Sequence, residues 1–108
     1  MVKRITLARR RPGISRAAFA EHWLGPHAEI ARRIPGIKGY LINVVDDPFE
    51  SDWDGLAETW FDSRESAVRG LASEPTQTLL AADRLKFLEK VDILFVSEHV
   101  VISPPRWS

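Results

Sequence analysis

Hydrophobic and polar positions divide the chain into a short series of segments. Val2 to Ala8 (VKRITLA) is rich in β-formers and runs into basic residues and a Pro12-Gly13 turn signal, which predicts a strand. Ser15 is an N-cap candidate for a helix reaching about Ile34. Pro35-Gly36 ends that helix, because proline disfavours helical geometry in the residue before it. Ile37 to Val45 (IKGYLINVV) predicts a second strand, Asp46 to Asp54 (DDPFESDWD) an acidic loop, and Leu56 to Phe61 (LAETWF) a third strand. Asp62-Ser63-Arg64-Glu65 has the form of a capping box and opens a helix to about Ala72. A helical turn restarts at Ser73-Glu74-Pro75 and continues from Leu79 to Leu88. Asp92 to Ile102 (DILFVSEHVVI) predicts the longest strand. Ser103 to Ser108 reads as a tail, since its two prolines lack the N–H that a sheet needs.

The order β-α-β-β-α-β predicts an α+β domain over residues 1–102, with 103–108 as a C-terminal tail. It is the ferredoxin-like arrangement: one antiparallel sheet with helices on one face. A sheet whose other face met water would alternate cleanly. These strands do not. The last strand carries Leu94, Val96, Val100 and Ile102 on one phase, and Ile93, Phe95 and Val101 on the other. The second carries Tyr40, Ile42 and Val44 against Leu41 and Val45. Burying one large apolar side chain is worth about 1.5–3 kcal/mol. An apolar second face therefore predicts a homodimer packed sheet to sheet, a dimeric α+β barrel.

Composition narrows the class. At 12.3 kDa the chain makes one domain, with a folded area of roughly 6,100 Å² expected from surface scaling. There is no Cys, which excludes disulfides, thiolate zinc sites and iron–sulfur ligation and favours a cytoplasmic setting. Three His are too few, and poorly spaced, to predict a metal site. No run approaches a membrane span, and the opening MVKRITLARRR lacks the apolar core of a secretory leader. The net charge of zero lacks the basic excess of a nucleic-acid binder. The charge is nonetheless uneven. Residues 1–38 hold nine basic and two acidic side chains, whereas residues 39–108 hold six basic and thirteen acidic ones. Either the fold brings the two regions together, or Lys3, Arg4, Arg9, Arg10 and Arg11 form a patch that attracts an anion.

Candidate chemistry sits on the first helix. Phe19, Trp23, Ile30 and Ile34 form an apolar stripe within roughly 60° of arc at about 100° per residue. His27 lies about 80° from Phe19 on that wheel, at the stripe's border, and His22 about 60° away on the other side. Gly25-Pro26 interrupts the helix between them, where a missing N–H allows a kink or restart that opens space beside His27. His27 thus reads either as a core histidine tied to a carbonyl or as an active-site base. His22 and Trp23 read as packed residues that can also wall a pocket. There is no G-x-G-x-x-G and no phosphate-cradling glycine loop, so no cofactor is expected.

Phe19-x-x-His22-Trp23-x-x-x-His27-Ala28, then Ile34-Pro35-Gly36-Ile37-x-x-Tyr40, resembles the EthD family. Ala57-Glu58-Thr59-Trp60-Phe61-Asp62-Ser63 and Glu98-His99-Val100-Val101 match it as well. The resemblance implies a dimeric α+β barrel with a small-molecule pocket in each protomer. It extends distantly to the methylmuconolactone methylisomerases, where a His and a Tyr flanking the same Pro-Gly segment correspond to His27 and Tyr40. Thr59 stands here where those enzymes have a Cys, and no His lies between Asp46 and Asp54. If Thr59 faces the pocket, strand alternation puts Ala57 and Phe61 beside it, and Glu58 and Trp60 on the opposite face. The resulting expectation is a cofactor-independent enzyme of catabolic or secondary metabolism, an isomerase, lyase, decarboxylase or cyclase acting on a small apolar oxygenated substrate. His27 and Tyr40 would be its catalytic residues; His22, Trp23, Thr59, Phe61 and His99 would bind substrate. An EthD-type oxidoreductase, monooxygenase or accessory component, and a non-catalytic ligand-binding dimer, are the alternatives.

Overall fold

A computed structural model describes residues 1–46 and 51–105. The chain forms β1 (Val2–Arg10), α1 (Arg16–His22), a π-helical turn (Trp23–His27), α2 (Ala28–Ala31), β2 (Gly39–Val44) and β3 (Gly55–Phe61). These are followed by α3 (Arg64–Leu71), a second π-helical turn (Thr76–Leu80), α4 (Ala81–Phe87) and β4 (Leu88–Val96). The sheet order is β2-β3-β1-β4, all antiparallel, with the helices on one face. This is the expected ferredoxin-like α+β fold. Of the acidic loop, residues 47–50 lie outside the described residues, as do 106–108 of the tail.

Ser15 caps its helix as expected, whereas α3 is capped by Ser63 alone, with Ser66 and not Glu65 at the third helical position of the expected box. The Ser15 hydroxyl accepts from the Ala18 N–H, and the Ser63 hydroxyl from the Ser66 N–H, so each satisfies an orphan donor at a helix start. Pro26 cannot donate to its preceding turn, and the first long helix absorbs that loss as a widened turn. Ala28 N–H reaches back to the Trp23 carbonyl, five residues earlier. The extra residue rotates the helix beyond Pro26 and turns His27 fully inward.

One expectation needs correction. The last strand runs from Leu88 to Val96, not from Asp92 to Ile102. β1 extends through Arg10, so β4 has a partner as early as Leu88. At the other end Val96 already faces Lys3, and the chain beyond it runs off the start of β1. Val100, Val101 and Ile102 are β-formers with no strand to pair with, and they are exposed.

β3 alternates as deduced. Gly55, Ala57, Thr59 and Phe61 are buried toward the helices, while Leu56, Glu58 and Trp60 are half-buried on the outer face. Gly55 lets the first π-helical turn come close: a Cβ there would run into the Trp23 ring and the Asn43 carbonyl. The core is in two parts. Ala8, Phe19, Trp23, Ala57 and Phe87 form one cluster; Ala31, Ile34, Phe61, Ala67 and Leu80 form the other. Tyr40 packs against both.

The charge asymmetry resolves within the sheet. β1 alternation splits its basic residues between faces. On the outer face Lys3 pairs with Glu58 and Glu98, and Arg9 with Asp52 and Glu89. Asp54, buried, accepts from the Arg10 N–H at 2.8 Å and pairs with the Arg10 and Arg16 guanidinium groups. Lys3, Arg9 and Arg10 thus meet acidic partners from the rest of the chain, while Arg11 bonds the Leu85 carbonyl and Arg4 turns to the helix side. Outside, Ile5, Leu7, Leu41, Leu56, Trp60 and Leu94 make the second face apolar; Leu94 is 49% exposed. Among the described helices none is long and apolar enough to cross a membrane.

Candidate functional site

A cavity of about 100 Å³ lies between the sheet and the helices, bounded by members of both core clusters. β1 contributes Arg4, Thr6 and Ala8, whose side chains all point to the helix side, and β3 contributes Ala57 and Thr59. The first π-helical turn contributes Trp23 and His27, and β2 contributes Tyr40. The second π-helical turn and α4 add Thr76, Leu80 and Arg84, and α2, α3 and β4 complete the wall with apolar side chains.

His27 is buried, and its Nδ1 lies 2.8 Å from Asp83 Oδ2. Asp83 is itself buried on α4. His22 Nε2 lies 3.0 Å from both Asp83 oxygens, approaching from the solvent side. The Phe87 ring lies under both imidazoles, with centroids 4.8 Å from His22 and 4.9 Å from His27. One carboxylate therefore holds two histidines. With Nδ1–H donated to Asp83, the other nitrogen of His27 is the proton acceptor of the pair.

The electrostatics favour that state. Burial pushes the His27 pKa down, and the attraction of Asp83 only partly opposes it, so the ring sits below the ordinary histidine value. Burial pushes the Asp83 carboxyl up, but hydrogen bonds from His27 and His22 more than reverse this and leave it below the usual carboxylate value. Neutral imidazole and ionised carboxylate coexist near neutral pH. Burial raises the Tyr40 pKa to about 12, with a hydrogen bond from the Trp23 side chain opposing it. Tyr40 therefore keeps its proton and can donate.

The cavity brings together four of the residues singled out from the sequence: His27, Tyr40, Trp23 and Thr59. Thr59 Oγ1 lies at a long 3.4 Å from the Arg4 carbonyl. His22 stands behind the cavity wall, on the far side of Asp83. Phe61 is fully buried in the second core cluster and does not line the cavity. His99 is exposed beyond the end of β4, away from the cavity. Sequence reasoning missed Asp83 and Arg84. A signal for Asp83 existed: it falls three residues after Leu80 and four before Phe87, so a carboxylate sits on the apolar stripe of its helix. Among the described residues no group of three or more His, Cys, Asp or Glu is arranged to hold a metal ion.

Fold and site together define a small α+β domain with a partly enclosed cavity and a histidine–carboxylate pair on its wall. The chain belongs to the EthD domain family, whose family model matches residues 11–90. An ethyl tert-butyl ether degradation (EthD) family protein from Bacillus halodurans C-125 is similar at 27% identity and a TM-score of 0.75, covering 92% of this chain and 99% of that one. A protein from Bacteroides fragilis, described as dimeric with a ferredoxin-like fold, shares the fold at 16% identity and a TM-score of 0.69, covering 90% and 95%. An antibiotic biosynthesis monooxygenase shares it at 13% identity and a TM-score of 0.65, covering 92% and 99%. No curated protein gives a significant match.

Proposed function

We propose that this chain is a cofactor-independent enzyme that performs acid/base chemistry on a small oxygenated substrate, and that it works as a homodimer. The observation that carries the reading is the buried 2.8 Å contact between His27 and Asp83 at the edge of a cavity. Asp83 fixes the tautomer and orientation of the ring, as the carboxylate does in any histidine–carboxylate pair. His27 Nε2 takes a proton from a carbon or hydroxyl of the substrate. The electron pair left behind moves onto a substrate oxygen. Tyr40 O–H donates a hydrogen bond to that developing oxyanion. The imidazolium then returns its proton, either at a new position, which isomerises the substrate, or to a leaving group, which completes an elimination. Decarboxylation and cyclisation draw on the same parts.

The second face supports the dimer. Leu41 is 37% and Leu94 49% exposed on that face, and a row of large apolar side chains left to water favours a covering partner. The fold shared with a monooxygenase supports a second reading, oxygen chemistry in the same cavity.

The test is turnover of a panel of lactones and phenolic compounds by wild type and by His27→Gln at matched folding, with oxygen uptake followed in parallel. The substitution is expected to lower turnover on the order of 10²-fold or more with no oxygen consumed. Equal rates in both proteins would overturn the base assignment, and oxygen uptake with turnover would favour the second reading.

A further inference from the structure

Two arginines line the cavity, and neither has a carboxylate partner among the described residues. This is not for want of acids nearby. Lys3, Arg9 and Arg10, neighbours of Arg4 on the same strand, are all paired. Arg4 points the other way, into the cavity, where its side chain bonds only the Thr6 hydroxyl, 3.1 Å from Nη1. Arg84 follows Asp83 on α4, and its positive charge is felt by both Arg4 and His27. It therefore stands where a group held by Arg4 would also be near the histidine. The Thr76 hydroxyl, on the same wall, is buried with no hydrogen-bond partner among the described residues. Ala8, Ile34 and Leu80 supply apolar surface beside these polar groups.

Two half-buried guanidinium groups on one cavity wall repel, and a carboxylate between them removes that cost. The planar guanidinium fork matches a carboxylate in geometry as well as in charge. The volume limits the guest. An engineered apolar cavity of about 150 Å³ takes benzene, and this cavity, at about 100 Å³, opens beside Ile93, which is 42% exposed. A single ring whose edge reaches the opening is the largest guest that fits.

We propose that the cavity binds a small organic carboxylate, with its anionic end between Arg4 and Arg84 and its carbon skeleton on the apolar wall toward His27. This names the substrate class of the site, and it rests on the reading of that cavity as the substrate pocket. Binding itself does not require that His27 act as a base.

Isothermal calorimetry near pH 7 tests it with three probes: benzoate, its neutral isostere benzamide, and inorganic phosphate. Benzoate is expected to bind at least tenfold more tightly than either of the others. Arg84→Gln, on the half-exposed α4, is expected to abolish most of the benzoate-over-benzamide preference, with Arg84→Lys restoring part of it. Arg4→Gln is expected to do the same if its thermal melt shows it folded; otherwise Arg84→Gln decides. His27→Gln is expected to keep the preference. A preference that survives His27→Gln, in an enzyme whose turnover ignores that change, would separate the carboxylate site from the base assignment. Equal affinity for benzoate and benzamide, a preference untouched by Arg84→Gln, phosphate binding tighter than benzoate, or no binding of any probe would each overturn the proposal.

Discussion

A buried carboxylate that accepts from two imidazoles stays ionised because each hydrogen bond stabilises its anion, and this makes Asp83 the residue on which His27 depends. Asp83→Asn leaves the shape nearly unchanged but offers an N–H where the ring expects an acceptor. Single-turnover kinetics on any substrate found should then fall on the order of 10²-fold or more. The pair also sets a pH dependence of stability. The folded-state pKa of His27 lies below the ordinary histidine value of 6.5, so between those two values the unfolded chain binds the extra proton. Stability is expected to fall as pH drops below about 6.5, and to level off below the folded pKa. Asp83, depressed from 3.8, adds a second loss as pH falls through that value toward its folded pKa. Urea unfolding from pH 8 to pH 3 checks this, and His27→Gln should remove the His27 contribution to the upper step. Asp83 was hidden in the sequence because an acid on a helix is usually solvated, and only its place between Leu80 and Phe87 marks it. His27 was visible because its distance from the apolar stripe could be counted, although the inserted residue of the π-helical turn, which seats it, could not.

Elements place these residues through close approach. Trp23 reaches the sheet only because Gly55 has no side chain, and Trp23 in turn holds Tyr40 and one wall of the cavity. Gly55→Ala should push that helix outward and cost about 1–3 kcal/mol, read as a drop in the thermal midpoint with looser cavity packing. Local pattern served well for β3, where burial alternates residue by residue, and for both helix starts, where one serine satisfies one donor. It failed for β4, since Val100, Val101 and Ile102 carry strand propensity but β1 is too short to pair with them. Propensity speaks for a segment alone, while a strand needs a neighbour of matching length.

Across the whole molecule, sheet alternation sorts residues to two destinations. Helix-side positions build the cavity, and outer positions build an apolar face whose Lys3–Glu58–Glu98 cluster lies against Trp60. Leu94→Arg places a charge on the β4 side of that outer face, away from the cavity. The proposed sheet-to-sheet dimer is then expected to give way to monomer in sedimentation velocity, with the far-UV circular dichroism preserved. A dimer that persists would relocate the interface. The four basic residues of the N-terminal strand show why a linear charge run is a poor guide to a surface: Arg4 turns inward while Lys3 and Arg9 pair on the outer face.

In the proposed function His27 waits as a neutral base with its Nδ1 proton committed to Asp83. Nitrogen-15 NMR of the histidine rings, with His27 assigned by His27→Gln, reads this without any substrate. The account predicts a neutral ring at pH 7, protonated on Nδ1, with a pKa below 6.5. An imidazolium at pH 7, or a neutral ring carrying its proton on Nε2, would contradict it.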